Sequence, residues 1–129
     1  PYDDPRVIAG QATIGVELLA QVPQLDAVVA PVSGGGLLSG LALALHHLAP
    51  HVEVWGAEPA LADDAFRSLR DGQLHENHNP STIADGLRAS LSERTFGILR
   101  QYARDILTVS ESEIIAAMRL IWERMKLVV

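Results

Sequence analysis

The sequence contains no cysteine and only one lysine, and both shortages exclude kinds of chemistry. Without cysteine the chain has no disulfide, no thiolate metal site and no thiol nucleophile. It carries 10 Lys and Arg against 16 Asp and Glu, for a net charge of −6, and the basic residues do not cluster. Nucleic acid binds basic surfaces, so it is excluded as the main partner.

Long hydrophobic runs are also missing. The apolar stretch at 41–45 is far too short to cross a bilayer, and no basic segment followed by an apolar one opens the chain. We therefore expect no membrane contact and a cytoplasmic location. The 129 residues, 48% of them hydrophobic, suit one globular domain. The chain begins at Pro1 and ends on the apolar Leu127, Val128 and Val129, which indicates an excerpt of a longer protein.

Helix-like and strand-like patterns alternate along the chain. Apolar residues at helical spacing and β-branched apolar runs follow one another in this order: helix 7–21, strand 26–32, helix 36–48, strand 52–57, helix 62–71, helix 92–104, strand 106–109 and helix 110–126. This order predicts an α/β fold, a parallel sheet with helices on both faces. Ligands bind beyond the carboxyl ends of such strands, where Ser33–Gly36 and Glu58 fall.

Three consecutive glycines join the first strand to the following helix, within Pro31–Gly40. Glycines let several backbone N–H groups converge on one point, and the helix N-terminus adds further donors, so the stretch suits a phosphate. The alternative is a tight turn without a ligand. A dinucleotide site is disfavoured because Ser39 occupies the third position of the glycine pattern. No lysine follows the loop, which excludes a Walker site.

The segment Val29–Leu37 resembles the phosphate-binding loop of fold type II pyridoxal-phosphate enzymes, the family of threonine and serine dehydratases and serine racemase. Four further segments resemble that family in the same order: Val7–Thr13, Ala57–Pro59, Thr82–Gly86 and Trp122–Lys126. Together the five segments are spread over almost the whole chain. The likeness is greatest to the serine racemase branch, and it implies that residues 1–129 are part of the large, cofactor-binding domain.

The resemblance implies a binding site for pyridoxal phosphate. Its phosphate is held by backbone N–H groups of five residues: Ser33, Gly34, Gly35, Gly36 and Leu37. Family members often have glycine where this chain has Ser33, whose hydroxyl offers the phosphate a further donor. Gly86 matches a glycine beside the cofactor ring. From the residues alone, Gly86 fits a turn that requires positive φ equally well.

The resemblance also implies a divalent metal site at Glu58, the carbonyl of Ala62, and Asp64. Two carboxylates and a backbone oxygen suit a hard cation such as Mg²⁺ or Ca²⁺. Alternatively, Asp64 is there because acidic residues are favourable at a helix N-terminus, and Glu58 pairs with an arginine.

In function, the resemblance implies a pyridoxal-phosphate-dependent dehydratase, a racemase, or both, acting on small hydroxy amino acids such as serine, threonine or hydroxyaspartate. It also implies a homodimer in the full-length protein. In this family the lysine that holds the cofactor as a Schiff base lies in an N-terminal segment that this chain does not contain. The serine-rich segment that receives the pyridine nitrogen would begin just past Val129, and it is missing too. Lys126 lies outside any family lysine motif, so we expect no catalytic residue and no activity in the excerpt alone. A non-catalytic phosphate- or nucleotide-binding domain is the alternative.

Overall fold

The computed structural model describes all residues from Pro1 to Val129. Five helices and three strands occur in the order α1 (Pro5–Gln21), β1 (Ala27–Pro31), α2 (Gly36–Leu48), β2 (Glu53–Pro59), α3 (Asp64–Asp71), α4 (Glu93–Tyr102), β3 (Asp105–Val109) and α5 (Glu111–Met125). A short 3-10 turn at Asp85–Leu87 lies between α3 and α4. None of the helices combines the length and hydrophobicity that a membrane span requires.

Local capping chemistry fixes where several helices begin and end. The Ser110 hydroxyl accepts from the Glu113 N–H, and the Glu113 carboxylate accepts from the Ser110 N–H, which is the capping box that precedes α5. Ser92 and Thr95 form the same reciprocal pair at the start of α4. Gly72 ends α3 in the left-handed conformation, at φ 69°.

The three strands form one parallel sheet in the order β1-β2-β3. Val29 lies opposite Trp55, and Ala57 lies opposite Leu107. This arrangement confirms the predicted α/β fold with a parallel sheet. Because all strands run the same way, their carboxyl ends meet at one edge of the sheet.

The two faces of the sheet differ in how they are covered. On one face Ala30, Val54 and Ile106 are buried in the main core together with the apolar side of α2. On the other face Val29 is 59% exposed. Here α5 lies across an apolar cleft of about 510 Å³, with Ile114 among the residues that line it. The helices therefore occupy both sides of the sheet, and only one side is closely packed.

Helices α1 and α2 pack at backbone distance. A Cβ atom on Gly40 would lie 2.5 Å from the Ile8 carbonyl oxygen and 2.7 Å from the Ala12 nitrogen. One on Gly15 would lie 2.9 Å from Ala44 Cβ. Only glycine at Gly15 and Gly40 allows this approach, so α1 and α2 form a rigid pair beside the sheet.

Candidate functional site

The glycine loop lies between β1 and the first turn of α2, at the carboxyl edge of the sheet. Its backbone N–H groups from Ser33 to Leu37 donate to no other protein atom. Gly34, Gly35 and Gly36 are themselves buried, and Ser33 and Leu37 are half-buried. Five neighbouring donors at a helix N-terminus fit an anion such as a phosphate group.

Two of the glycines are needed for the shape of the loop. Gly35 has φ 86°, a conformation that other residues rarely adopt. A Cβ atom there would also lie 2.7 Å from Leu91 Cδ2. A Cβ atom on Gly34 would overlap the ring of Tyr2. A side chain at Gly34 or Gly35 would therefore displace the neighbours that define the site.

A cavity of about 230 Å³ lies in front of the loop, and it brings the sequence-predicted residues together. Its walls include the whole stretch Ser33–Leu37 and also Gly86. Gly86 does not have a positive φ, so the turn requirement considered above does not explain this glycine. A Cβ atom on Gly86 would meet nothing within 4 Å. The surrounding protein therefore leaves space at Gly86 for a ligand.

The Ser33 hydroxyl has a different partner from the one expected. It accepts a hydrogen bond from the Ala89 N–H, at 3.0 Å, and donates to the Ala89 carbonyl oxygen, at 3.3 Å. A hydroxyl has one proton to give, and the Ala89 carbonyl oxygen lies within hydrogen-bond distance to accept it. The backbone N–H of Ser33 is unaffected by this pairing.

Tyr2 also lines the cavity, and sequence reasoning missed it. Its hydroxyl donates to the Ser90 carbonyl oxygen, at 2.9 Å, and its ring lies beside Gly34. Tyr2 and Ser90 are 88 positions apart, so no local pattern signals the contact.

The two predicted metal-binding carboxylates are both buried at the end of β2 and the start of α3. Glu58 is 2% exposed and Asp64 is 1% exposed. Glu58 accepts from the N–H groups of Phe66, at 2.6 Å, and Ala65, at 3.4 Å, and pairs with no arginine. Asp64 accepts from the Asn77 side chain, at 2.6 Å, and from the Leu91 N–H, at 2.8 Å. These bonds leave lone pairs on the carboxylate oxygens, since each oxygen can accept twice.

Burial controls the protonation of both carboxylates. The pKa of Glu58 is raised to about 8, mainly by desolvation and to a lesser extent by the nearby charge of Asp64, while the hydrogen bond from Phe66 opposes the rise. Desolvation also raises the pKa of Asp64, opposed mainly by the bond from Leu91. Two buried acids whose charges repel each other are stabilised by protonation or by a bound cation.

The carbonyl of Ala62 is the third oxygen of the predicted metal set. It accepts no hydrogen bond, and Ala62 is buried. No three His, Cys, Asp or Glu side chains converge anywhere in the chain, so a cation near Glu58 and Asp64 needs this carbonyl and water to complete its ligands. Oxygen donors alone fit the chemistry of Mg²⁺ or Ca²⁺. Lys126, at the end of α5, donates to the Glu123 carbonyl oxygen and is exposed.

Comparison with known proteins gives consistent results. The family described as pyridoxal-phosphate dependent enzyme matches residues 1–129. The chain is 48% identical to a beta-hydroxyaspartate dehydratase of Paracoccus denitrificans, over 99% of this chain and 41% of that protein. It is 49% identical to the serine racemase of Homo sapiens, over 100% of this chain and 38% of that protein.

Among solved structures, that of a serine racemase from Dictyostelium discoideum superposes with a TM-score of 0.91 at 46% identity, over 98% of this chain and 40% of that one. A solved threonine deaminase superposes with a TM-score of 0.94 at 53% identity, over 98% of this chain and 48% of that one. The chain thus spans about two fifths of the length of the curated relatives that it matches.

Proposed function

Because the chain belongs to the pyridoxal-phosphate dependent enzyme family, we propose that residues 1–129 hold the phosphate end of pyridoxal phosphate in an enzyme that acts on small hydroxy amino acids. The candidate substrates are serine, threonine and hydroxyaspartate, since the relatives are named for these compounds. The reaction is elimination of water with release of ammonia, racemisation, or both. We also propose that the full-length protein is a homodimer in the cytoplasm. The likeness to the family supports the dimer, and the composition supports the location.

One observation supports this proposal most directly: the row of five unpaired N–H groups from Ser33 to Leu37. A buried donor without an acceptor costs about 1–3 kcal/mol, so a folded chain keeps such a row only where something else accepts from it. A phosphate group has enough oxygens to accept from several of these donors at once.

Each residue of the site has a definite part in this proposal. The N–H groups of Ser33, Gly34, Gly35, Gly36 and Leu37 bind the phosphate and so orient the rest of the cofactor along the cavity. Gly86 gives the ring side of the cofactor room to approach the backbone. The cofactor, when bound, supplies an electron sink for the substrate's Cα. The residues of this chain bind the cofactor and orient it.

The proton transfers at the substrate's Cα require a base that residues 1–129 do not supply in this proposal. Lys126 is the only lysine, and it lies at the exposed end of α5, outside the cavity lining. We therefore assign the covalent anchor and base to another segment of the large domain, and we expect residues 1–129 alone to be inactive. In the full enzyme, loss of the α-proton and the β-hydroxyl, followed by hydrolysis, converts serine to its oxo acid and ammonia. Return of the proton on the opposite face gives racemisation instead.

A titration followed by amide chemical shifts tests the phosphate site. Inorganic phosphate and pyridoxal phosphate should both move the signals of Ser33–Leu37, and pyridoxal without phosphate should not. The N-terminus of α5, already capped by Ser110 and Glu113, is an internal control and should stay unchanged. Shifts confined to α5 or to other surfaces would exclude the assignment and favour a chain that binds no cofactor here.

For the buried acids we propose a structural divalent cation held by Glu58, Asp64 and the Ala62 carbonyl. Two buried carboxylates at the end of β2 and the start of α3, together with the Ala62 carbonyl that accepts no hydrogen bond, support it. Mg²⁺ or Ca²⁺ should raise the melting temperature of the wild-type protein and leave that of Asp64→Ala unchanged. Asp26→Ala removes the same charge from an exposed position and should keep the full rise. An equal rise in all three proteins would place the cation elsewhere.

A further inference from the structure

The segment Ala89–Leu91 is fastened to the glycine loop and its surroundings by side chains far away in sequence. The Ser33 hydroxyl bonds both the N–H and the carbonyl of Ala89, across 56 positions. The Tyr2 hydroxyl bonds the carbonyl of Ser90. The next residue, Leu91, donates its N–H to Asp64 and buries its side chain beside Gly35. Each of these three consecutive residues thus has its backbone held by a distant side chain.

This fastening matters because the stretch that it holds has little regular structure of its own. Between the end of α3 at Asp71 and the start of α4 at Glu93, the chain forms only the 3-10 turn at Asp85–Leu87. That turn contains Gly86 and forms the cavity wall that faces the glycine loop. Without helix or strand hydrogen bonds, the position of this wall depends on the side-chain contacts that tie it down.

We propose that Ser33 is a positioning residue that clamps Ala89 and so fixes the distance between the phosphate loop and the wall at Gly86. In this role the Ser33 hydroxyl bonds Ala89 and is not a phosphate ligand. The consequence for the cofactor rests on the proposed function, because only a ligand that touches both walls senses their separation. Inorganic phosphate touches the loop alone.

Inorganic phosphate and pyridoxal phosphate therefore distinguish a clamp from a direct contact between the Ser33 hydroxyl and the phosphate group. In the full-length protein, Ser33→Ala should weaken pyridoxal phosphate binding about tenfold, the effect of losing one or two hydrogen bonds. The same variant should bind inorganic phosphate as the wild type does. Ser33→Thr keeps the hydroxyl and should restore cofactor affinity. Ser39→Ala removes a hydroxyl from the first turns of α2 that has no partner, and should bind both ligands normally.

Amide hydrogen exchange of Ala89 in the ligand-free protein reports the clamp itself. Exchange of the Ala89 N–H should be about tenfold faster in Ser33→Ala, because its acceptor is gone, and unchanged in Ser39→Ala. Tyr2→Phe keeps the ring beside Gly34 but loses the bond to Ser90, and it should speed exchange in the same segment.

The outcomes separate the clamp from the function that it serves. Equal weakening of phosphate and pyridoxal phosphate in Ser33→Ala would make the hydroxyl a phosphate ligand and overturn the proposal. Unchanged exchange at Ala89 would overturn it as well. A wild-type protein that binds inorganic phosphate but not pyridoxal phosphate would instead overturn the proposed function, while the exchange data still decide whether the clamp exists.

Discussion

Replacing Gly35 by alanine tests the phosphate loop at its most constrained position. The φ of 86° is left-handed, which costs a residue other than glycine about 1–2 kcal/mol. The added Cβ would lie 2.7 Å from Leu91 Cδ2 and 2.8 Å from Thr95 Cβ, and overpacking of this kind costs about 1–3 kcal/mol. The backbone strain and the overpacking together should lower the free energy of unfolding by about 2–5 kcal/mol, a large share of a domain's usual stability.

The same substitution should weaken the binding of the ligand. If the loop relieves the strain by turning its peptide groups, the N–H groups near Gly35 no longer point at a shared acceptor. A hydrogen bond to a charged group contributes about 1.5–3 kcal/mol, so each one lost lowers the affinity for pyridoxal phosphate by about tenfold or more.

Urea denaturation of the ligand-free protein measures the first effect, and titration with pyridoxal phosphate measures the second. Gly97→Ala is the matched control, because Gly97 lies on an exposed part of α4 with nothing within 4 Å of an added Cβ. That variant should gain about 1 kcal/mol from helix propensity. A Gly35→Ala protein with wild-type stability and wild-type affinity would refute both the strain argument and the role of the loop.

Three further predictions follow from particular contacts. Gly40→Ala should lower the free energy of unfolding by about 1–3 kcal/mol, because the backbone of α1 already fills the space that the added methyl group needs. Gly10→Ala in α1 has free space and should raise it by about 1 kcal/mol. Urea midpoints of the two variants that move in the same direction would contradict this. Ser39→Ala should raise stability by about 1 kcal/mol in the same assay, since its buried hydroxyl has no partner; a loss would indicate a hydrogen bond there. Without divalent cations, the free energy of unfolding should fall as the pH rises from 4.5 to about 8, because Glu58 holds its proton more tightly in the folded protein than in the unfolded chain. Glu58→Gln should show a smaller fall. A pH profile of this variant identical to that of the wild type would exclude Glu58 as the cause.

Features that arise from neighbouring residues could be predicted from the sequence. The alternation of strand and helix patterns indicated the parallel fold, and the Ser110 and Glu113 spacing indicated the cap of α5. The glycine loop is built from consecutive backbone groups, so its residues lie together whatever the rest of the chain does. The boundaries were less accurate: α3 begins at Asp64 and not at Ala62, because Ala62 donates to the Pro59 carbonyl in a turn.

Contacts between distant residues could not be predicted in this way. Nothing near Tyr2 signals that its ring lies beside Gly34, and nothing near Ser33 signals its pairing with Ala89. The sequence-based choice for the Ser33 hydroxyl was a phosphate, since the loop around it suggests one, yet its donor contact is with the Ala89 carbonyl oxygen, 56 positions away. The metal ligands and the individual phosphate contacts stay predictions.

The close approach of α1 and α2 has a consequence for motion in the molecule. Tyr2 lies just before α1, and the glycine loop lies just before α2, so the two parts of the cavity are attached to a helix pair that packs against backbone atoms at Gly40 and against Ala44 Cβ at Gly15. Sliding or hinging of one helix against the other would drive backbone atoms together, which a packed interior resists. Tyr2 and the phosphate donors should therefore move as one body, and the width of the cavity should depend on how firmly Tyr2 and Ser33 hold Ala89 and Ser90 in the stretch between α3 and α4.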